Sequence, residues 1–283
     1  MYIFRKIADL KAYLAQLRES GKRIGFVPTM GALHAGHISL IEEANKGSDV
    51  TVCSIFVNPT QFDNADDLKK YARNLPKDAK MLGDALTNVL FAPNVEEVYP
   101  PNLDTEVDLD FGQLTKVMEG RFRTGHFEGM VQVVTRLLNI VEPDSLYMGQ
   151  KDFQQAAIVK NMLQQQKRKT KLVVCPIIRE PHGLAMSSRN VRLAPDDRKL
   201  AKVLHEALLE TKQNLAKKDI ASLKKLAKEK IESAGLKLDY FEIADASSLL
   251  SIESMDQSTE IVACVAAYLK DVRLIDNMIL KEL

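Results

Sequence analysis

The stretch from Arg23 to His37, R-I-G-F-V-P-T-M-G-A-L-H-A-G-H, constrains the fold of this chain more than any other. Its apolar run ends at Pro28, a bend of small residues follows, and apolar residues recur at helical spacing from Ile38. This pattern predicts a strand, a tight turn and a helix whose first turn carries His34 and His37. Because a helix start presents backbone N–H groups and a positive dipole end, we expect a nucleotide phosphate site here.

Two other interpretations of this stretch stay open at this point. One is a helix start with incidental histidines. The other is a zinc site, which is weaker because no glutamate stands beside His34 or His37 and no third ligand is obvious.

Strands and helices alternate along the first part of the chain. Apolar runs predict further strands at Asp49–Phe56, Asn88–Phe91, Ser145–Met148 and Lys171–Ile178, with helices between them. Alternation at these lengths implies parallel pairing and right-handed crossovers, the mark of an α/β fold. Two amphipathic helices and three strands follow after the last of these segments, so we expect one domain over residues 1–178 and a smaller α+β domain over residues 179–283.

Several local expectations follow from the same patterns. The N-terminus is expected to open in an amphipathic helix, and Thr105–Leu109 alternates like an edge strand. A loop over Glu119–Gly129 is expected to precede a helix from Met130 to Val141. Asp66–Arg73 is expected to be a further helix.

Composition excludes several classes of partner. The formal net charge is +1, so we expect no nucleic-acid partner. No apolar stretch approaches membrane-spanning length, and the N-terminus lacks a signal-peptide core, so we expect no membrane association. The three cysteines each lie in an apolar run, which predicts buried reduced thiols in a cytoplasmic protein.

The segment Phe56 to Phe62, F-V-N-P-T-Q-F, follows a predicted buried strand. Its amides, Asn58 and Gln61, can bind hydroxyl and carboxylate oxygens without adding charge. An Asn-Pro turn with a solvated glutamine is the alternative interpretation.

The segment M-G-Q-K-D-F-Q-Q, residues 148–155, also follows a predicted strand. Gly149 permits close approach of a ligand to the backbone, and Lys151 can neutralise a phosphate. Asp152 is suited to accept from a ribose hydroxyl or to cap the helix. Gln155, one helical turn further on, reaches the same side.

The segment R-E-P-H-G-L-A-M-S-S-R-N, residues 179–190, places two hydroxyls and a guanidinium in a loop that contains glycine. Ser187, Ser188 and Arg189 would make a polyphosphate clamp, and a surface linker is the alternative. Since ligands bind beyond the carboxyl ends of parallel strands, we expect these segments to converge on one crevice. No nucleophile elbow, Walker loop or paired-cysteine motif supports covalent catalysis.

Taken together, these segments resemble the pantoate–β-alanine ligase family. Five motifs occur in order between Phe26 and Asn190: P-T-M-G-A-L-H-x-G-H, F-V-N-P-x-Q-F, G-H-F-x-G, G-x-K-D-x-Q-Q and G-L-A-M-S-S-R-N. The last hundred residues resemble the family only in general character.

The resemblance implies a Rossmann-like, doubly wound ATP- and pantoate-binding domain followed by a C-terminal lid. It implies that pantoate is adenylated by ATP with Mg²⁺ present, and that β-alanine then displaces AMP. It also implies a homodimer.

The resemblance carries roles to individual residues. The implied catalytic residues are His34, His37, Lys151, Ser187, Ser188 and Arg189. The implied ATP-binding residues are Met30, Gly31, Ala32, Leu33, His34, Ala35, Gly36, His37, Gly149, Gln150, Lys151, Asp152, Ile178, Met186, Ser187, Ser188 and Arg189. Pantoate would contact Gln61, Gln155 and Asn58, β-alanine would contact Gln61, and Asp78 would be a magnesium ligand.

The chain departs from the family pattern in three loops. Thr124 replaces the proline of the common Arg-Pro-Gly-His-Phe, and Ala72 replaces the proline of the usual Tyr-Pro-Arg. Pro181-His182 replaces an acidic pair. These changes affect loop rigidity more than ligand contacts. The rival functions are another nucleotidylyltransferase or adenylate-forming enzyme of the same fold, and a non-catalytic ATP sensor.

Overall fold

The computed structural model describes residues 1–62, 68, 69 and 71–282. The chain divides into two compact units. The first comprises Met1–Phe111, Thr124–Gly149 and Ile158–Pro176, and the second comprises Gly112–Arg123, Gln150–Ala157 and Ile177–Leu283. Residues 66, 67 and 70 of the predicted helix 66–73 lie outside the described residues; residues 68 and 69 are helical, and residues 71–73 are not.

The elements that the structure describes are numbered here in chain order. The strands are β1 (Tyr2–Phe4), β2 (Ile24–Thr29), β3 (Val50–Ile55), β4 (Val89–Phe91), β5 (Ser145–Gly149), β6 (Lys171–Cys175), β7 (Lys237–Asp245), β8 (Ile261–Leu269) and β9 (Val272–Lys281). The helices are α1 (Ile7–Glu19), α2 (Ala35–Gly47), α3 (Leu75–Asp84), α4 (Val95–Val98), α5 (Glu119–Phe122), α6 (His126–Val141), α7 (Phe153–Gln165), α8 (Pro195–Leu200), α9 (Val203–Asn214) and α10 (Ile220–Ser233). Short 3₁₀ turns cover Pro59–Gln61, Gln150–Asp152, Ser188–Arg192 and Met255–Gln257.

The first unit is built on a parallel six-stranded sheet with the order β1-β4-β3-β2-β5-β6. This confirms the predicted α/β fold with a parallel sheet. From β2 the chain proceeds to β3 on one side, and it later returns to β5 on the other side. The strand order therefore reverses at β2, and the carboxyl ends of β2 and β5 border the crevice in which such sheets bind ligands.

The central strands are apolar because both of their faces are covered. Phe26 of β2 pairs with Val52 of β3 and with Leu146 of β5, and all three side chains are fully buried. Such runs are typical of parallel strands between helix layers. The rigid centre of the sheet thus lies directly beneath the loop that follows β2.

The second unit contains the antiparallel sheet β7-β8-β9. Its core combines buried side chains of β8 with those of α9 and α10, among them Val265, Leu208 and Ile231. This confirms the predicted smaller α+β part of the chain.

A buried ionic cluster ties segments of the second unit together. The Arg273 Nη1 lies 2.7 Å from a Glu119 carboxylate oxygen, and its Nε lies 2.8 Å from a carboxylate oxygen of Asp239. The Tyr240 hydroxyl donates to the same Glu119 carboxylate at 2.9 Å. Burial acts to raise the pKa of Glu119, but its hydrogen bond and ion pair with Arg273 outweigh burial and hold that pKa below its usual range.

One local expectation is right only in part, and two are wrong. The expected opening helix is present as α1 from Ile7, but residues 2–4 ahead of it form a strand, because they pair with β4. Residues 105–109 form no regular strand. Helix α6 begins at His126, four residues before Met130, after Gly125 adopts a left-handed φ of 78°.

Gly129 explains why the predicted start of α6 was late. A glycine within a helix costs about 1 kcal/mol relative to alanine, so the Gly/Arg-rich segment Glu119–Gly129 predicts a loop. Here a Cβ on Gly129 would lie 2.2 Å from the carbonyl oxygen of Thr60, so the helix needs glycine for close approach to the neighbouring turn.

None of the helices in the described part of the chain has the length and apolar character that spanning a bilayer requires. The cysteines are free and buried, as predicted. Burial raises the pKa of the Cys53 thiol to about 12 and that of the Cys175 thiol to about 11. Burial likewise raises the pKa of the Cys264 thiol.

These thiols should not react while the protein is folded. Because the thiolate is the reactive form and all three groups are held as thiols, we expect no labelling by a disulfide reagent at pH 8. The same reagent should label all three cysteines in denaturant. Fast labelling of any cysteine in the native protein would contradict this burial.

Candidate functional site

The turn after β2 is held in a left-handed conformation. Gly31 has a φ of 81° and Ala32 a φ of 50°. The Thr29 hydroxyl donates to the carbonyl oxygen of Ser54 at 2.7 Å and accepts from the Gly31 N–H at 3.2 Å. A left-handed alanine is strained, so neighbouring groups must stabilise the turn.

Asp78 supplies that stabilisation. One carboxylate oxygen accepts the N–H of Ala32 and the other accepts the N–H of Leu33, each at 2.9 Å. Asp78 lies on α3 and is 2% exposed. Hydrogen bonds to a buried carboxylate are stronger than neutral ones, so this side chain fixes the path of the turn into α2.

The predicted role of Asp78 as a magnesium ligand does not fit this geometry. Mg²⁺ keeps several waters and needs accessible oxygens, whereas this carboxylate is buried and both of its oxygens bind backbone N–H groups. Among the described residues, no group of three or more His, Cys, Asp or Glu side chains has the arrangement of a metal site, so the zinc interpretation of the histidines gains no support either.

The two histidines of the motif cap the start of α2. The Nδ1 of His34 accepts from the N–H of Gly36 at 3.1 Å, and the Nδ1 of His37 accepts from the N–H of His34 at 3.3 Å. The ring centroids lie 4.1 Å apart. Since each Nδ1 acts as an acceptor, a neutral ring carries its proton on Nε2, which is therefore a donor.

This arrangement changes which donors the helix start presents. The sequence predicts free backbone N–H groups as the phosphate contacts. In the structure the N–H groups of His34 and Gly36 are satisfied by the histidine rings. The Nε2–H groups of the two rings are therefore additional donors at the start of this helix.

The second motif forms a compact amide cluster at the 3₁₀ turn Pro59–Gln61. Asn58 is 1% exposed, and its Nδ2 donates to the carbonyl oxygen of Gly129 at 3.1 Å. Its Oδ1 accepts from the Tyr99 hydroxyl at 3.1 Å. Both polar atoms of Asn58 therefore serve the protein itself, which favours a supporting role over the predicted contact with pantoate.

Gln61 connects this cluster to the turn after β2. Its Nε2 lies 2.8 Å from the sulfur of Met30, and its side chain is 8% exposed. The backbone oxygen of Gln61 accepts from Nδ1 of His126 at 2.8 Å. Two of the predicted motifs thus meet within the first unit.

Sequence reasoning assigned no role to His126 or to Tyr99. His126 belongs to the G-H-F-x-G motif, which was the available signal, but only the structure shows that its ring holds the Gln61 backbone. Tyr99 lies in no motif, so nothing in the sequence pointed to its bond with Asn58.

The third motif begins at the end of β5 and continues into the second unit. A Cβ built on Gly149 would meet no described atom within 4 Å, so the backbone is approachable there. Gln150, Lys151 and Asp152 form a 3₁₀ turn, with Nζ of Lys151 3.7 Å from a carboxylate oxygen of Asp152. Gln155 is half-buried on α7.

The fourth motif is a braced loop in the second unit. Ser187 accepts from the N–H of Arg189 at 3.3 Å and so caps the 3₁₀ turn Ser188–Arg192. Nδ2 of Asn190 donates to Glu180 at 2.8 Å and to the carbonyl oxygen of Ala185 at 3.1 Å. Ile178 accepts the N–H of Met186 at 3.0 Å, which closes the loop. This is an ordered hairpin and not the surface linker that was the alternative.

Comparison with known proteins identifies the group to which this architecture belongs. A family model described as pantoate-beta-alanine ligase matches residues 2–279. The chain belongs to the pantoate–β-alanine ligase family. It is therefore an enzyme of the ligase class.

Several relatives of the family cover the whole chain. A pantothenate synthetase from Bacteroides thetaiotaomicron is 45% identical over 100% of both chains. A crystal structure of pantothenate synthetase from Thermus thermophilus has a TM-score of 0.93 at 37% identity, covering 99% of this chain and 100% of that one.

A crystal structure of pantoate-beta-alanine ligase from Francisella tularensis is also similar, with a TM-score of 0.81 at 36% identity over 99% of this chain and 98% of that one. It is described as complexed with beta-gamma ATP and beta-alanine.

The role of Asp78 in this family member can be tested directly. Replacing Asp78 by Ala leaves two N–H groups without acceptors, so amide hydrogen exchange at Ala32 and Leu33 should accelerate. The free energy of unfolding should fall by about 1–3 kcal/mol. The Mg²⁺ concentration for half-maximal activity should stay unchanged, because both carboxylate oxygens already accept backbone N–H groups.

Asp84→Asn is the matched control for this variant. Asp84 lies on the same helix, is exposed and pairs with Lys80 at 2.7 Å. This substitution should change neither amide exchange nor activity. A raised Mg²⁺ requirement in Asp78→Ala, with slow exchange retained at Ala32 and Leu33, would restore the metal-ligand role.

Proposed function

We propose that this chain condenses (R)-pantoate with β-alanine, using ATP, to give pantothenate, AMP and pyrophosphate. The observation that carries the proposal is the pair of imidazoles at the start of α2, whose Nδ1 atoms are engaged so that their Nε2–H groups are donors. The motif lies at the carboxyl end of β2, where the strand order reverses. Family membership supports pantoate and β-alanine as the two acids that are joined.

In the first step a carboxylate oxygen of pantoate attacks the α-phosphorus of ATP. A new P–O bond forms, the bond to the β,γ-pyrophosphate breaks, and pantoyl adenylate results. Negative charge builds on the phosphate oxygens and on the leaving pyrophosphate. Catalysis therefore consists mainly of positioning and of electrostatic stabilisation.

We assign the phosphate contacts to His34 and His37 together with Lys151, Ser187, Ser188 and Arg189. The histidines donate from Nε2 to developing charge, and His37 need not transfer a full proton because pyrophosphate is a stable leaving group. Residues 30–37 are assigned to contacts with the triphosphate of ATP. Gly149, Gln150, Asp152, Ile178 and Met186 hold ribose and adenine.

The pantoate contacts are assigned to Gln61 and Gln155. Neutral amides orient a carboxylate without stabilising its ground state as strongly as a cation would. Asn58 supports Gln61, because its Nδ2 donates to Oε1 of Gln61 at 3.4 Å while its bonds to Gly129 and Tyr99 hold the Asn58 amide in place.

In the second step the amine of β-alanine attacks the acyl carbon of the adenylate. A C–N bond forms, the C–O bond to AMP breaks, and the amine loses a proton to the medium. Gln61 is assigned to this step too, because β-alanine must approach the acyl group that Gln61 orients.

Two further elements complete the proposal. Mg²⁺ would enter with ATP and would neutralise negative charge on its phosphates, and no ligand role is assigned to Asp78. The enzyme works in the cytoplasm as a homodimer.

The decisive experiment supplies ATP, Mg²⁺, pantoate and β-alanine and measures AMP and pantothenate. We expect AMP release that depends on pantoate, and pantothenate only when β-alanine is present. AMP release with another acid but not with pantoate would indicate a different adenylate-forming enzyme. ATP binding without any AMP would indicate a nucleotide sensor.

The role of His37 can be separated from its role as a cap. In His37→Asn the amide oxygen takes approximately the position of Nδ1, so the helix cap is retained while the Nε2 donor is lost. We expect the single-turnover rate of adenylation to fall by about 10²- to 10³-fold, with a modest change in the dissociation constant of ATP.

Glu42→Ala, an exposed change on the same helix, is the control and should leave the rate unchanged. An adenylation rate near wild type in His37→Asn would refute a transition-state role for this ring.

A further inference from the structure

Asp276 and Asn277 are consecutive buried residues of β9 with polar partners far away in the chain. Asp276 is 4% exposed and Asn277 is 2% exposed. Both lie in the middle of the antiparallel pairing with β8, opposite Val265 and Cys264. Because successive side chains of a strand point to opposite faces, the two residues serve two different segments of the second unit.

Asp276 anchors the segment that leads into the serine-serine-arginine loop. Arg179 donates from Nη1 to one carboxylate oxygen at 2.6 Å and from Nη2 to the other at 3.1 Å. The same Nη1 donates to the carbonyl oxygen of Gly183 at 3.1 Å. A bidentate pair of this kind fixes direction as well as distance.

The anchored segment is itself a rigid hairpin. Arg179 forms a β-bridge with Ala185, and Glu180 donates its N–H to the carbonyl oxygen of Leu184 at 2.8 Å. Asn190 then ties the far end of the loop back to Glu180 and Ala185. The position of residues 187–189 therefore follows from the position of the Arg179 guanidinium.

Asn277 anchors the turn that carries Lys151. Its Nδ2 donates to the carbonyl oxygens of Gln150 and Lys151, both at 2.9 Å. Its Oδ1 accepts from Nε2 of Gln150 at 3.1 Å. A side-chain amide is suited to this task because it donates twice and accepts at the same time.

We propose that Asp276 and Asn277 are positioning residues that set the spacing between the Lys151 turn and the Ser187–Arg189 loop. This rests on the proposed function, in which those two segments hold the phosphates of ATP. One strand fixes both segments, so the groups that stabilise the leaving pyrophosphate keep a defined separation. A misplacement of about 1 Å can cost about a hundredfold in rate.

The proposal makes a prediction about which step fails. Phosphate contacts matter for adenylation, whereas the attack of β-alanine on preformed pantoyl adenylate releases no pyrophosphate. In Asn277→Asp the side chain keeps its size, but a carboxylate faces the carbonyl oxygens of Gln150 and Lys151. We expect the single-turnover rate of adenylation to fall by about tenfold to a hundredfold, while the second step, which uses the ribose contacts of this turn but releases no pyrophosphate, loses less.

A comparison of two substitutions separates positioning from packing. Asn277→Ala removes the three hydrogen bonds without adding repulsion, so its adenylation rate should lie between those of wild type and Asn277→Asp. If loss of packing were the cause, the isosteric aspartate would be the milder change. Asp276→Asn, which loses the charge that Arg179 pairs with, should show the same selective loss of adenylation.

Controls come from the same unit. Glu210→Gln removes the ion pair of Glu210 with Lys230, 2.9 Å apart, and touches neither segment. Asn214→Asp repeats the amide-to-carboxylate change at a residue that donates to a carbonyl oxygen of its own helix. Both should match wild type in the two steps.

The outcomes are distinct. Equal losses in both steps, or adenylation at the wild-type rate in Asn277→Asp and Asp276→Asn, would overturn the proposal while leaving the proposed function intact. A wild-type protein without pantoate-dependent pyrophosphate release would instead refute the proposed function. If Asn277→Asp does not fold, the ratio of the two rates in Asn277→Ala and Asp276→Asn decides the question.

Discussion

The carboxylate of Asp78 is the contact on which the arrangement of the histidine motif depends. It binds the N–H groups of Ala32 and Leu33 and holds a left-handed alanine in place. From that turn the chain enters α2, and the rings of His34 and His37 cap the helix. A buried carboxylate thus determines, through the backbone, where the two imidazole donors of the proposed phosphate site are placed. Local strain of this kind persists only where surrounding contacts over-determine it.

Much of the fold was predictable because it follows from local pattern. Apolar runs and their spacing predicted the central parallel strands. The change from alternating strands and helices to two amphipathic helices followed by three strands predicted the smaller α+β part. The strand over residues 2–4 was missed because its existence depends on pairing with β4, which no local pattern records. The helix start at His126 was missed because a glycine that permits close packing looks the same in sequence as a glycine that ends a helix.

Residue types and motif spacing lead from the sequence to the candidate site residues, but they do not predict the contacts of those residues. The motifs pointed to His34, Gln61 and Lys151 as candidates, because the side-chain type alone indicates what each residue can donate, accept or neutralise. They gave no sign that Asn58 is turned inward, nor that Asn277 supports the Lys151 turn from 126 residues away. Supporting residues are recognisable only when the partner is known, and the partner is distant in the chain.

The buried cluster around Arg273 has a consequence for how this chain can be cut or recombined. Arg273 lies on β9, yet its ion partner Glu119 belongs to a segment that precedes the last two strands of the parallel sheet. A fragment that begins after residue 178 would keep the guanidinium and Asp239 but would lose Glu119, one of its two carboxylate partners. It would also leave the Asn277 amide without the turn that it holds. The second unit therefore consists of three separate stretches of chain, and no single contiguous fragment shorter than Gly112–Leu283 contains all of it.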